Sequence, residues 1–250
     1  LSEDPTSKTP AEPFGGFGKT FGRRKGRPLR AHHAALVEEL LPQIEIKLPS
    51  GPSGEPHVVP GSLDPERLFG DTAPKEIWLE VGYGGGEHLA EQAIANPEVG
   101  IIGCEFFASG VARMLAHLEV SGVSNVRLFT GDARQLLASL TSASLERIFV
   151  LYPDPWPKLR HARRRFISPW AVAEFARLVR PAGTVRVVSD IPVYCRWTLQ
   201  HFGAEARFEW QGEGPSDWRS PPEDWVSTRY EAKALREGRT PAYLDFRRIG

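Results

Sequence analysis

From about Lys75 onward, short apolar runs alternate with longer stretches of helical period. Runs rich in Val, Ile, Leu and aromatic residues at Glu76–Gly82, Val99–Glu105, Asn125–Thr130, Leu145–Tyr152 and Thr184–Asp190 predict five strands. Between them, Glu87–Ala95, Ala108–Val120, Ala133–Leu140 and Pro169–Val179 carry apolar residues at helical spacing. Strands that alternate with helices make right-handed βαβ crossovers, and these give a parallel sheet covered on both faces. Two shorter runs, Arg207–Trp210 and Tyr243–Arg247, flank a stretch rich in Trp and Pro and are expected to close the sheet as an antiparallel edge. The fold class is therefore α/β, a doubly wound and mostly parallel sheet.

Ahead of this region the pattern is different. Residues 1–30 are rich in Gly, Pro and Arg with no apolar period, which predicts a disordered basic arm. A short helix is expected at Ala31–Leu41, with Ala35, Leu36, Leu40 and Leu41 on one face and Pro42 as its stop. Residues 48–75 read as a Pro/Gly-rich connection. The expected organisation is an arm over 1–30, a helix and connection over 31–74, and the α/β domain over 75–250.

Composition narrows the classes. No apolar run approaches the roughly 18 residues that a membrane span needs, and the polar N-terminus has no h-region of a secretory signal. The sequence starts at Leu1 and not at Met, so further leading residues are expected. Two cysteines, Cys104 and Cys195, are too few for a disulfide framework or a zinc site, so a reduced, cytoplasmic setting is expected and both are read as packing residues. The 31 basic and 31 acidic residues cancel, but their placement does not: residues 1–30 hold seven Lys/Arg against three acids, and Lys158–Arg165 holds five and none. Clustered basic charge is the footprint of a polynucleotide partner.

Candidate chemistry sits at the carboxyl ends of the predicted strands. The first strand runs into Glu80-Val81-Gly82-Tyr83-Gly84-Gly85-Gly86-Glu87. Gly82, Gly84 and Gly86 suit a sharp turn that lets a ligand approach the backbone. A dinucleotide fingerprint would need glycine where Glu87 stands, and an acid at a helix start repels a pyrophosphate. E-x-G-x-G-x-G fits instead a cofactor with no phosphates and a cationic end, such as S-adenosylmethionine. Glu105 ends the second strand at a spacing suited to ribose hydroxyls, and Asp132, after the third, either caps the next helix or accepts an adenine amine. Glu80, Glu105 and Asp132 are expected to line one crevice.

The segment after the fourth strand is the most distinctive: Pro153-Asp154-Pro155-Trp156-Pro157-Lys158, then Leu159-Arg160-His161-Ala162-Arg163-Arg164-Arg165. Alternating prolines make a stiff extended loop and remove backbone donors, which leaves carbonyls and one carboxylate to face the crevice. Trp156 beside them offers a surface for a base, and the basic run offers phosphate contacts.

These residues resemble the tRNA (guanine-N7)-methyltransferases. Glu80–Gly86, Glu105, Asp132 and above all Pro153–Ile167 carry the likeness, which continues through Ser189-Asp190, Tyr194 and Ser227-Thr228-Arg229-Tyr230-Glu231 and covers roughly residues 20–250, including Gly22–Gly26. The resemblance implies the class I SAM-dependent sheet of seven strands with the last antiparallel. It implies SAM contacts at Glu80, Glu105, Asp132 and Asp154, with Asp154 also catalytic, and substrate contacts at Lys158, Asp190 and Thr228, Arg229, Tyr230 and Glu231. Arg160, Arg163 and Arg164 of the basic run join the expected substrate set, with the arm at Arg23–Arg30. Tyr152 replaces a common Phe, and Leu159 a common second Lys. The implied reaction is methyl transfer from SAM to guanine N7 in the tRNA variable loop, by a monomer or homodimer needing no obligatory protein partner. A methyltransferase for another RNA base, a non-catalytic RNA-binding subunit of the same fold and a nicotinamide oxidoreductase are the competing readings.

Other signals carry less. Gly15–Thr20 has the ending of a phosphate loop, but its first glycine position is Pro13 and no strand precedes it. His32 and His33 have no ligating partners at metal spacing, so no metal is expected. No G-x-S-x-G elbow occurs, which argues against a hydrolase.

Overall fold

The computed structural model describes residues 26, 28–50, 57–70 and 73–250. Most of the expected arm, the Gly15–Thr20 segment and Arg23–Lys25 lie outside the described residues. A seven-stranded sheet forms the centre, in the order β3-β2-β1-β4-β5-β7-β6. Its strands are β1 (Glu76–Val81), β2 (Val99–Cys104), β3 (Val126–Phe129), β4 (Leu145–Leu151), β5 (Val179–Ser189), β6 (Phe208–Trp210) and β7 (Ala242–Arg248). The pairs β1–β2, β1–β4, β2–β3 and β4–β5 are parallel, and β7 runs antiparallel to both β5 and β6. The doubly wound sheet with an antiparallel last strand is as the pattern predicts. β7 is not at the margin, however: it occupies an interior lane between β5 and β6.

Successive residues of a strand face opposite sides, so the fully apolar inner strands make two cores. On one face Leu79, Ile102, Val150 and Val187 meet Leu136, Phe175, Tyr194 and Phe202 from helices α5 (Ala133–Ser139), α6 (Pro169–Leu178) and α7 (Pro192–Gly203). On the other, Trp78, Ile101, Leu128 and Phe149 meet Leu89, Met114 and Leu115 from α3 (Glu87–Ala95) and α4 (Ala108–Ser121). Leu36 and Leu41 join this second core from α1 (Ala31–Glu39) and α2 (Leu41–Ile44). Pro42 does not stop the chain as expected. It occupies the first turn of α2, where its missing N–H is no loss. Within the described part of the 48–75 connection, a 3-10 turn at Glu66–Phe69 packs on the sheet, with Phe69 buried and the Arg127 guanidinium over its ring.

One strand starts earlier than expected. β5 starts at Val179, directly after α6, and its register with β4 slips between Leu145 and Arg147. The Pro181–Gly183 stretch, with Ala182 at φ +69°, accounts for the slip and hid the strand's start. On the second face, α3 reaches β4 at Phe149, where His88 lies edge-on at 4.9 Å. Beside it Arg147, Arg186 and Asp245 rise from β4, β5 and β7, and Asp224 ties the chain around α8 (Pro215–Arg219) and its exit down onto them: Asp224 accepts from Arg186 at 2.7 Å and Arg147 at 2.7 Å. That tether delivers α9 (Arg229–Arg236) to the end of the sheet where the strands' carboxyl termini gather.

No described helix is long and apolar enough to cross a membrane, and no cluster of three or more metal-ligating side chains occurs among the described residues. His32 bonds Glu119 at 2.8 Å on the surface, and Cys104 and Cys195 are both free thiols.

Candidate active site

A cleft of about 620 Å³ opens at the carboxyl ends of β1, β2, β3 and β4, the edge at which such sheets bind ligands. Its floor is the glycine turn between β1 and α3, where Gly82, Gly84 and Gly86 all take positive φ. At Gly86 no other residue fits: φ is +86°, and a Cβ would lie 2.3 Å from Met114 Sδ. Gly110 at the start of α4 serves close approach instead, since a Cβ there would be 2.3 Å from the Gly84 carbonyl oxygen. No motif or spacing singles out Gly110.

Glu105 is the best-held acid of the cleft. One carboxylate oxygen accepts the N–H groups of Phe106 (2.9 Å) and Phe107 (3.0 Å), and the other accepts that of Gly84 (3.0 Å). Burial raises its pKa, and those three N–H groups and Arg229 oppose the rise. A carboxylate offers about four acceptor sites, so a place remains on the Gly84 side for a hydroxyl donor. Asp132 N-caps α5 through the Arg134 N–H at 3.0 Å, and the Arg134 guanidinium binds the same carboxylate at 2.5 Å. Capping, one of the two roles expected of it, is what its geometry shows.

Glu80 is placed elsewhere. It lies on the α3 side of β1, 3% exposed, and its carboxylate bonds His88 Nδ1 at 2.8 Å. The crevice thus gathers two of the three acids expected to line it, and Glu80 is not among its walls. The sequence offered a signal that went unused: Glu80 shares strand parity with Trp78, on the face that α3 covers, and His88 stands in the first turn of that helix.

The far wall is the Pro153–Pro157 loop. Tyr152 (φ +49°) and Trp156 (φ +39°) hold left-handed backbone, a strain of about 1–3 kcal/mol each, at its two ends. Asp154 stands between them at the mouth of the cleft, and desolvation by the surrounding protein raises its carboxyl pKa. Its exposure to solvent limits that rise. Trp156 is sandwiched by its own basic turn, Leu159–Arg164, with the Arg164 guanidinium 4.9 Å from its ring and His161 edge-on at 5.8 Å. Lys158, Arg160 and Arg163 are exposed on that turn. His161 has its pKa lowered, by desolvation first and then by Arg164, Arg160, Lys158 and Arg163, which reports the density of positive charge there.

Substrate candidates from the C-terminal part divide in two. Arg229 and Tyr230 reach the cleft: the Tyr230 ring stacks on Tyr152 at 6.3 Å and touches the Gly84 turn, and Arg229 lies over Tyr230 and 3.8 Å from Glu87. Thr228 and Glu231 face inward. Thr228 caps α9 through the Glu231 N–H at 3.2 Å, and the Glu231 carboxylate accepts Trp225 Nε1–H at 2.9 Å and the Tyr243 hydroxyl. Asp190 is paired with Arg239, a residue the sequence did not bring forward, and does not line the cleft. Arg113, Phe106, Phe107 and Tyr152 line it and were also not foreseen as site residues.

The donor set fits a nucleoside cofactor without phosphates. A half-buried acid with an open acceptor site stands directly after β2, and Glu87 puts negative charge at the helix start where a phosphate would need the opposite. A glycine cradle that a Cβ would fill lies between them.

The Methyltransf_4 family model of methyltransferases matches residues 74–243. The tRNA (guanine-N(7)-)-methyltransferase of Rhodospirillum rubrum is 52% identical over 228 residues, covering 91% of this chain and 87% of that one. Those of Nitrobacter hamburgensis and Ruegeria pomeroyi are 49% and 46% identical, over 93% and 96% of this chain and 88% and 98% of theirs. Among solved structures, the 16S rRNA methyltransferase KamB has a TM-score of 0.50 at 17% identity over 71% of this chain and 89% of that one, a likeness of fold alone. With a methyltransferase cleft at the end of its sheet and such relatives along nearly its whole length, the chain belongs to the tRNA (guanine-N(7)-)-methyltransferase family.

Proposed function

We propose that this protein transfers the methyl group of S-adenosylmethionine to N7 of a guanine in the variable loop of tRNA. The observation that carries the reading is the position of Asp154, across one cleft from Glu105 and beside an exposed basic turn. Cofactor, base and RNA backbone each have matching chemistry within one continuous surface.

SAM, when bound, supplies an electrophilic methyl group on a sulfonium. Glu105 takes a ribose hydroxyl at its open acceptor site, and the Gly82–Gly86 turn admits the ligand to the backbone. Guanine N7 has a lone pair and no proton, so no side chain is needed as a base there. A bond from N7 to the methyl carbon forms as the sulfur–carbon bond breaks, with the electron pair leaving on sulfur. The purine gains positive charge in the process, and the Asp154 carboxylate stabilises that charge or accepts the guanine N1 and N2 hydrogens. Tyr230 and Tyr152 give the base a stacking wall, and Lys158, Arg160 and Arg163 hold phosphates. N7 lies on an edge that tertiary pairing covers in folded tRNA, so the base leaves its stack to react. The protein acts as a cytoplasmic enzyme with no obligatory protein partner.

The test is methyl transfer from labelled SAM to unmodified tRNA transcripts, followed by chain cleavage specific for 7-methylguanine. Label at one variable-loop guanine, lost in Asp154→Ala, is the expected outcome. Label on a different base moves the substrate to another RNA base, and tight SAM and tRNA binding without transfer supports a non-catalytic subunit.

A further inference from the structure

We infer that Arg165 is a positioning residue that braces the Asp154 loop at the wall of the cleft, and that it is not one of the phosphate contacts of the basic run in which it lies. The inference rests on the reading above for its catalytic consequence, though its geometry stands without it. Among the eight residues Lys158–Arg165, Arg165 alone is buried, at 5% exposure, whereas Lys158, Arg160 and Arg163 are exposed. Its guanidinium has no carboxylate within ion-pair distance among the described residues. It donates Nε–H to the Pro155 carbonyl at 3.0 Å and Nη2–H to the Trp156 carbonyl at 3.2 Å. Its planar face lies 4.7 Å from the centre of the Trp197 ring on α7. Trp197 is fixed in turn by its Nε1–H to the Ile167 carbonyl at 2.7 Å.

The chemistry of the loop explains why it requires such a partner. Prolines at 153, 155 and 157 take three N–H groups out of five residues, so the loop cannot satisfy its own carbonyls by turning on itself. Two of those carbonyls, of Pro155 and Trp156 directly after Asp154, turn to the half-buried side of the loop where Arg165 lies. A fork of rigid N–H donors satisfies both at once, which a lysine ammonium cannot match in geometry. The same contacts hold Trp156 in left-handed backbone. Without them the strained loop relaxes, and Asp154 moves away from the base by a distance on the scale that costs about a hundredfold in rate. A buried cation that bonds two carbonyls and faces an indole is costly, and a solvated phosphate contact would not need it.

Steady-state methyl transfer by Arg165→Lys and Arg165→Ala, with SAM affinity and the salt dependence of tRNA binding, separates the two roles. A brace gives a kcat loss of about tenfold in Arg165→Lys and about a hundredfold in Arg165→Ala. SAM Kd stays within about twofold, the slope of log K against log salt is unchanged, and added methylguanidinium restores part of the Arg165→Ala rate. An intact kcat with a slope smaller by about one overturns the inference and makes Arg165 a phosphate contact. If Arg165→Ala does not fold, Arg165→Lys, which keeps charge and length, decides alone. A wild-type protein that methylates no tRNA would sink the functional reading and leave the brace to be judged by amide hydrogen exchange of residues 152–158. Faster exchange in Arg165→Lys supports the brace, and unchanged exchange overturns it.

Discussion

Asp154 is exposed at the mouth of the cleft, yet the protein around it partly desolvates its carboxylate. Its pKa is raised by desolvation, so the carboxylate is lost at a higher pH than for an ordinary aspartate. If the charged form is the working one, kcat falls on the acid side as pH drops through that raised pKa. The acid limb of the pH–rate profile should therefore sit above the usual aspartate range and vanish in Asp154→Asn. Asp154→Ala should lower kcat by about a hundredfold to a thousandfold while SAM Kd changes little; equal losses in both would show a residue that only holds the cofactor. Glu105 behaves differently, because three backbone N–H groups depend on it. Glu105→Ala should weaken SAM binding and cost about 2–3 kcal/mol, seen as a fall in Tm of roughly 4–10 °C, with Glu105→Gln milder on stability. Glu105 was legible from its place at a strand end. Glu80 was legible only through its strand parity with Trp78, and Arg165 not at all, since a charge run names residues without saying which way each side chain faces.

Among the elements, α9 is the one whose position has to be built. It is not paired into the sheet, and its N-terminus is fixed by Trp225 and Tyr243 on Glu231 and by Trp225 against His88. His88 in turn holds Glu80, so a polar chain joins the first strand's acid to the helix that carries Tyr230. Trp225→Phe keeps the ring but removes the N–H that Glu231 accepts, a loss of about 1–3 kcal/mol. The expected result is a KM for tRNA raised several-fold at unchanged SAM Kd; a selective loss of SAM binding would contradict it. The T-x-x-E spacing at Thr228–Glu231 is that of a helix start, a reading that its likeness to a substrate motif displaced. What no pattern could give was that Glu231, three residues into α9, bonds to a tryptophan upstream and a tyrosine on the final strand. The strands and helices from 76 to 190 were readable because each buries a regular stripe. Pro42 and Pro181 misled because proline in a first turn or beside a bulge looks the same in sequence as proline that ends an element.

Over the whole molecule, zero net charge conceals a division of labour. Acids pair with arginines along the sheet's second face and around the cleft, while the turn at Lys158–Arg164 keeps exposed cations on one side of the mouth. Binding of tRNA should weaken steeply with salt, and Arg160→Ala with Arg163→Ala should reduce the log–log slope by about one to two. A flat dependence would remove this turn from the RNA interface. The same scale shows a cost in how the chain is made. β7 is the last strand to be synthesised, yet it fills an interior lane, so until residues 242–248 exist β5 has a bare flank and β6 has no partner at all. A message truncated just before Ala242 therefore does not yield a slightly shorter enzyme. It yields a five-lane sheet with an adhesive margin, and Glu231 without its tyrosine.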